Sequence, residues 1–262
     1  MKIRNSSIYL LTILLSWNLF SCNDAKKDDN NRLKILTYNV RNARGMDEVT
    51  DYDRVADVIK RINADCVAIQ ELDSATQRSN GIVVLDELAK RTGMHASYNK
   101  SIDYQGGGYG IGILTKEKPI RKEATSLPGS EEPRSILLVE LADYIICSTH
   151  WSLKQTDRMA TVEVINKWLE GTTSKPLFLA GDLNATPYTD EIQKLSNKWT
   201  ILNDTSQPTI PVNNPSRCID YILIQNNPHF SVDILETKVE TEPMASDHLP
   251  VWVSVSIQNQ KK

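Results

Sequence analysis

The chain has 262 residues, with 30 lysines and arginines against 33 acids and a formal net charge of −3. That balance, without any strongly basic stretch, speaks against a dedicated grip on long nucleic acid, which draws on stripes of Lys and Arg. Four cysteines without close spacing fit neither a zinc site nor a disulfide framework, and the length suits one folded domain.

The chain opens with MKIRNSSIYLLTILLSWNLFSC, in which Lys2 and Arg4 precede an apolar run from Ile8 to Phe20 and the small residues Ser21 and Cys22. The run has the length of a signal-peptide core and is too short to span a bilayer. LFSC resembles the lipobox of bacterial lipoproteins. The resemblance implies a lipoprotein signal peptide over 1–21, lipidation of Cys22, and anchoring in the bacterial cell envelope. An ordinary signal peptide cut elsewhere, or an uncleaved N-terminal anchor, is the alternative. Residues 22–31 have no apolar face and read as a flexible tether. Within it, Lys26–Lys27 before Asp28–Asp29 is similar to surface-export signals of Bacteroidetes lipoproteins, although a plain solvated linker is the simpler reading. Loss of 1–21 removes Lys2 and Arg4 and no acid, which takes the net charge from −3 to −5.

The folded part is expected over 32–258. Apolar runs at 33–40, 66–72, 109–116, 135–141, 143–150, 177–183, 218–225 and 251–257 predict strands. Helical spacing appears at 51–63, where Val55, Val58, Ile59 and Ile62 share a face. It recurs at 157–171 with Met159, Val162, Ile165, Trp168 and Leu169, and more briefly at 189–197. Runs 135–141 and 143–150 meet across Ala142, as an antiparallel hairpin would. A purely parallel sheet therefore fits poorly, and two mixed sheets with helices outside fit better. QGGGYG (105–110) lacks the Lys-Ser/Thr and the helix of a phosphate loop, and reads as a mobile approach to a strand starting near Tyr109. Cys66 and Cys147 lie in apolar runs and read as small buried side chains.

Several of these runs end in chemically useful residues. Asn39 closes the first, Glu71 the second, His150 the run IICSTH, and Asp182 with Asn184 the run LFLAGDLN. Asp220 lies in CIDYIL, and Asp247–His248 stand just before the last strand. Strand ends are where loops converge on ligand sites in α/β proteins. An Asx turn that ends a strand would explain Asp182 alone. Alternation on an extended strand would instead put Asp182 and Asn184 on one face. Carboxylates and amides without Cys or a His triad suit a hard cation such as Mg²⁺ or Mn²⁺, and so attack of water on a phosphate ester.

In order, TYNVR, IQEL, GYGIGILTK, STH, GDLNATP, IDYIL and SDHLP resemble the endonuclease/exonuclease/phosphatase superfamily, from Leu33 to Ile257. The resemblance implies a four-layer α/β sandwich of two mixed sheets flanked by helices, and a metal-dependent phosphoric ester hydrolase. It implies Glu71 as principal metal ligand, Asn39 as the amide supporting that metal, and Asp247 as a further residue linked to metal binding. Asp182 matches the carboxylate that positions the attacking water, and Asn184 the amide on the scissile phosphate. His248 matches the catalytic histidine, Asp220 the carboxylate bonded to it, and His150 a phosphate-contacting histidine of the sphingomyelinase-like branch.

Taken singly, Asp220 reads as a buried acid awaiting a partner, and His150 equally as a satisfied edge histidine. His95 and His229 match no motif and read as surface residues in loops. Trp151 and Tyr109 adjoin motif positions and fit either the cleft or the core. Arg158 reads as a structural ion-pair residue, whereas Arg41 and Arg134 are candidates for substrate phosphate, with Tyr109 beside them. Arg41 stands where the DNA-repair branch has an acid, which weakens the case for a second metal ligand there. The expected protein is thus a monomeric, envelope-anchored phosphoesterase acting on small or lipid-like mono- or diesters, without strong nucleic-acid binding. A scavenging extracellular nuclease and a catalytically silent binding lipoprotein on the same fold are the alternatives.

Overall fold

The computed structural model describes residues 31–172 and 174–259. The expected signal peptide, Cys22 and nearly all of the tether lie outside the described residues. Among the described residues no helix is long and apolar enough to cross a membrane.

Two six-stranded mixed sheets form the body. In the first, β1 (Arg32–Asn39) pairs in parallel with β2 (Cys66–Ser74) and antiparallel with β12 (Val251–Asn259). Beyond β2 lies antiparallel β4 (Gly107–Thr115), and β3 (His95–Tyr104) and β11 (Phe230–Val239) are the edges. In the second sheet, β7 (Ile145–His150) and β8 (Leu177–Asp182) are parallel neighbours. Antiparallel β6 (Arg134–Glu140) flanks β7 and β10 (Asp220–Gln225) flanks β8, with β5 (Arg121–Leu127) and β9 (Trp199–Ile201) at the edges.

Alternation along the strands creates three apolar layers. Leu33 and Ile35 of β1 meet Phe178 and Ala180 of β8 and Ile222 of β10 between the sheets. Leu36 and Tyr38, one step out of phase, pack with Val55, Ile59 and Leu85 of α1 (Tyr52–Ile62) and α2 (Val84–Thr92). On the far side, Leu179 and Leu223 pack with Val162, Ile165 and Ile192 of α3 (Gln155–Trp168) and α4 (Asp190–Leu195). The order helix, sheet, sheet, helix is the expected four-layer sandwich. Burial of each such side chain contributes roughly 1.5–3 kcal/mol. Helix α1 starts where Asp51 accepts the Arg54 N–H at 2.9 Å and stops at left-handed Asn63, whose φ is 56°.

The eight expected strands are all present and all interior. The four that the apolar pattern does not reveal, β3, β5, β9 and β11, are the four edges. An edge has only one paired side and little buried face, so HASYNKSIDY and RKEATSL carry no clean apolar period. Helix α2 is likewise not revealed by the apolar spacing, because over its nine residues it buries only Val84, Leu85 and Leu88. Gln105 and Gly106, with φ of 46° and 81°, turn β3 into β4, and β4 begins at Gly107 rather than near Tyr109. QGGGYG is thus a hairpin, not a mobile approach. On α3, Met159 and Trp168 are only half buried, while Arg158 and Thr161 are buried.

Arg158 is buried because its Nε donates to Glu191 Oε1 of α4 at 2.7 Å and its Nη1 to the carbonyls of Ser152 and Leu153. The Glu191 side chain is fully enclosed. Glu191→Ala leaves an uncompensated guanidinium there and is expected to cost about 3–5 kcal/mol. The midpoint of urea unfolding measures this, and an unchanged midpoint would show the pair to be dispensable.

Candidate active site

The inward stripe of each central strand is apolar for most of its length and polar at one end. On β8 the stripe runs Phe178, Ala180, Asp182, and on antiparallel β10 it runs Ile224, Ile222, Asp220, with Asp220 in register with Asp182. On β7 it runs Ile146, Ser148, His150, and His150 is in register with Asp182 across the parallel pair. On β1 it runs Ile35, Thr37, Asn39. Because β1, β7 and β8 end where β10 begins, the four polar ends lie together between the sheets. The backbones of β7 and β8 approach so closely that a Cβ at Gly181 would stand 2.0 Å from the Thr149 carbonyl oxygen.

Strand β2 contributes differently. Its register with β4 shifts between Ile69 and Leu72, and Glu71 takes a left-handed φ of 61°. Regular alternation would send Gln70 and Glu71 to opposite faces, but the bulge directs both toward the second sheet. Gln70 Nε2 donates to Ser148 Oγ at 3.4 Å, beneath the site. Glu71 Oε1 accepts from Asn39 Nδ2 at 3.0 Å.

Asp182 is the hub. Its Oδ2 accepts from Asn39 Nδ2 at 3.1 Å and lies 3.5 Å from His150 Nε2 and 3.7 Å from His248 Nε2. Its Oδ1 accepts the Asn184 N–H at 2.9 Å. The Asx turn and the site are therefore the same structure. Asn184 itself lies past the end of β8, with φ of 49°, and its Nδ2 donates to the Trp151 carbonyl at 3.0 Å. Strand alternation does not extend to it; the turn, not the strand, sets its place. Trp151 is fully buried in the outer apolar layer, a core residue.

His248 Nδ1 and Asp220 Oδ2 are 2.9 Å apart and both residues are buried. Thr209 Oγ1 donates to the same Asp220 oxygen at 2.5 Å. Ser246 Oγ donates to the Asn39 carbonyl at 2.7 Å and accepts the His248 N–H at 3.3 Å, which stitches the segment before β12 to the end of β1. The sequence alone does not single out Thr209, Ser246, Gln70 or Ser148. Ser246 stands in the SDH motif and could have been found there; Thr209 lies far from any motif and carries no such signal.

The remaining candidates fall around this cluster. Arg41 Nη1 pairs with Glu48 Oε1 at 3.1 Å, turned toward its own loop, while its backbone N–H donates to Asn39 Oδ1 at 3.1 Å and fixes that amide. Tyr109 is half buried, and that burial, with the charges of Glu71 and Glu132 adding to it, pushes its phenol upward. Arg134 is 8% exposed and pairs with Glu132 Oε1 at 3.0 Å. His95 is exposed as expected but opens strand β3 rather than lying in a loop, and His229 is exposed in the loop before β11. Cys66, Cys147 and Cys218 are free and buried.

Residues 15–248 match the Endonuclease/Exonuclease/phosphatase family. The chain belongs to that family. Comparison with curated proteins returns no match by sequence. Among solved structures, a family protein from Beutenbergia cavernae is similar at 20% identity and a TM-score of 0.69, over 86% of this chain and 72% of that one. The mannosyl-6-phosphatase of Bacteroides thetaiotaomicron is similar at 16% identity and a TM-score of 0.62, over 85% and 99%. The catalytic domain of human nocturnin is similar at 14% identity and a TM-score of 0.65, over 87% and 95%. At these identities the likeness is one of fold, and the family's two mixed sheets with flanking helices are those described above.

The two buried histidines differ in charge. Burial alone would lower the His248 pKa, but the charge and hydrogen bond of Asp220, then Asp182 and Asp247, hold it well above the ordinary imidazole range. Burial lowers His150 to about 4, helped by the charges of Arg134 and His248 and opposed by Asp182. Burial likewise raises Glu71, with Asp247 and Asp182 adding to it and Asn39 and His248 opposing. The unfolded chain thus binds a proton at His150 that the folded one refuses between pH 6.5 and about 4. Stability should fall as pH drops through that window. His248 has the opposite sign: its contribution is complete below its unfolded pKa and lost as pH rises through the folded one. In metal-free protein, imidazole ¹⁵N NMR should find His150 neutral and His248 doubly protonated at pH 7. Asp220→Asn should lower the His248 titration and leave that of His150 low. An unchanged His248 titration would break the pairing.

Proposed function

We propose that this protein is an envelope-anchored, divalent-metal-dependent phosphoesterase acting on small or lipid-like phosphate esters. The observation that carries the reading is Asp182 Oδ2, within 3.7 Å of both His150 and His248 and bonded to the same Asn39 amide as Glu71. Membership of the Endonuclease/Exonuclease/phosphatase family supports hydrolysis of a phosphate ester.

The residues fit a hard cation. Glu71 is held in a left-handed bulge, and burial and neighbouring acids both disfavour its charge, so a cation beside it relieves the conflict. Glu71 and Asp247 would hold it through carboxylate oxygens, while Asn39, whose Nδ2 faces Glu71 and Asp182 and whose Oδ1 accepts the Arg41 N–H, supports the carboxylates rather than the ion. Asp182, Asp220 and His248 also bring ligand atoms within 4.8 Å of one another. There, however, His248 Nδ1 is already engaged by Asp220. The oxygen side at Glu71 therefore suits Mg²⁺ or Mn²⁺ better. When bound, such a cation neutralises charge on the phosphate oxygens and polarises the attacking water.

The chain's own groups divide the remaining work. Asp182 Oδ2 orients the water and receives its proton as the new P–O bond forms and the ester P–O bond breaks. Asn39 keeps that carboxylate in place. Neutral His150 and the Asn184 amide steady the phosphate, and the turn between Asp182 and Asn184 keeps water and phosphate in register. His248, protonated and oriented by Asp220, stabilises the charge that develops and supplies a proton toward the leaving oxygen. Asp220 in turn is fixed by Thr209.

Purified protein should hydrolyse p-nitrophenyl phosphate or its bis ester, lose that activity in EDTA, and regain it with Mg²⁺ or Mn²⁺. Each phosphate contact on B-DNA adds about −0.9 to the salt slope, and a mature chain of net charge −5 makes few of them. Small esters should therefore be turned over better than plasmid DNA, with weak dependence on ionic strength. A DNA rate that is higher and falls steeply with salt would establish the nuclease instead. No hydrolysis of any ester would establish a silent binding protein.

The anchor is tested separately. Cys22→Ser should abolish metabolic labelling with an alkyne fatty acid and release the protein from the membrane fraction. Undiminished labelling would refute lipidation at Cys22.

A further inference from the structure

The site-facing stripe of β4 ends in an aromatic ring. Ile113 and Ile111 lie in the apolar layer between the sheets, and Tyr109 is the next residue on that stripe. Gly112, one step out of phase, faces the other way, since a Cβ there would meet Leu72 and Leu85 of the outer layer. Tyr109 is in register with Asp73 of β2, two residues beyond Glu71. As β4 is the neighbour of β2, the ring stands about 5 Å to the side of the strand that carries Glu71.

Its neighbours make it part of a platform. Tyr104, the last residue of β3, pairs with Gly107 on the same face, and its ring centroid lies 6.1 Å from that of Tyr109 at an interplanar angle of 52°. The Arg78 guanidinium lies over both rings, 4.6 Å from the Tyr104 centroid and 5.5 Å from that of Tyr109. Its Nε and Nη2 donate to the two oxygens of buried Asp73 at 2.6 and 2.7 Å, which answers its charge. The hairpin is tied to the loop after β2: the Gln77 N–H donates to the Gln105 carbonyl at 2.9 Å, and a Cβ at Gly107 would stand 2.3 Å from the Ser74 carbonyl oxygen. The platform is thus fixed relative to Glu71 before any ligand arrives.

The opposite flank of the site is closed. Ser246 binds the Asn39 carbonyl, the Val212 N–H the Asp247 carbonyl and the Leu249 N–H the Thr209 carbonyl, which joins the segment before β12 to both sheets. On the β4 side, Asn99 Nδ2 donates to Ser135 Oγ at 2.9 Å and Ser101 Oγ lies 2.6 Å from it, beside Ile111 and one step deeper than Tyr109. Among the described residues no further hydrogen bond joins the sheets above that neutral floor. The organic part of an ester whose phosphate sits at Asp182 and Glu71 therefore runs out past Tyr109.

The chemistry of this flank selects that organic part. Tilted rings with Arg78 over them leave no two-sided slot for a planar base. The guanidinium already occupies electron-rich ring surface, so a quaternary ammonium gains little there. Asp73 answers Arg78, so a second phosphate is not attracted. What remains is ring surface on Tyr109, the Arg78 Nη1 that Asp73 does not engage, and the neutral floor. Apolar surface beside a few polar groups complements a pyranose, which has C–H faces and a rim of hydroxyls.

We propose that Tyr109, with Tyr104 and Arg78 behind it, is the specificity surface of this site, and that it selects phosphate esters of a sugar ring over those of acyclic alcohols. The proposal rests on the phosphoesterase reading above, and Tyr109 acts on binding rather than on the water.

The test compares glucose 6-phosphate with glycerol 3-phosphate at saturating Mg²⁺; both are esters of a primary alcohol, so the leaving groups are matched. The wild-type protein should prefer the sugar ester, mainly through KM. Tyr109→Ala should lower kcat/KM for the sugar ester about 5- to 30-fold more than for the glycerol ester, as truncation of a contacting aromatic does. Tyr109→Phe should keep most of the preference, whereas a general disturbance of the fold would reduce both esters alike. Calorimetry with the methylene phosphonate analogues of the two esters, whose C–P bond is not cleaved, gives a readout independent of turnover. The sugar phosphonate should bind more tightly, and Tyr109→Ala should remove the difference. Equal losses for the two esters, a preference unchanged in Tyr109→Ala, or a stronger preference for adenosine 5′-monophosphate would overturn the sugar assignment. Hydrolysis of neither ester nor of their methyl diesters would overturn the phosphoesterase reading, with Tyr109 then judged by phosphonate binding alone.

Discussion

Asp182 is the constraint on which the site depends. Its carboxylate is buried at the end of β8, with the Asn39 amide of the opposite sheet on one oxygen and the Asn184 N–H on the other. A buried carboxylate is tolerable only while such donors are in place. The two sheets must therefore stack in one register for Asp182 to be satisfied. The apolar slab between them, from Leu33 and Ile35 to Phe178 and Ile222, sets that register. Packing at one end of the slab thus positions chemistry at the other.

The same economy explains the backbone irregularities. A straight β2 would place Gln70 and Glu71 back to back, so the bulge and the left-handed Glu71 are what put two successive polar residues on the site side. Non-glycine residues in that region cost of order 1 kcal/mol or more and persist where the surroundings hold them. Here the Asn39 amide and the paired strands do so. Arg41 and Asn42, also left-handed, follow Asn39 directly, and the Arg41 N–H fixes the Asn39 oxygen.

Electrostatically the site is divided. On one side Asp220 keeps His248 charged; on the other, burial keeps His150 neutral. Two histidines of identical intrinsic chemistry are thereby assigned different tasks by their surroundings. The acids around Glu71 remain in excess, an imbalance that an oxygen-binding cation there would relieve.

Much of this was legible in the sequence. The interior strands announce themselves because both of their faces are buried, and the polar residues that interrupt them, Asn39, Glu71, His150, Asp182 and Asp220, stand out against apolar runs. The order of these motifs identified the family and with it the four-layer fold. The edge strands did not stand out, since a half-paired strand needs no apolar period. Nor did Thr209, whose bond to Asp220 joins a loop to a strand eleven residues away. The sequence by itself determined which residues could do chemistry, because residue type and strand period are local properties. Tertiary structure alone decided how they act. The charge on each histidine, the turn that holds Asn184 and the bulge that turns Glu71 inward all depend on distances and burial between segments far apart in the chain.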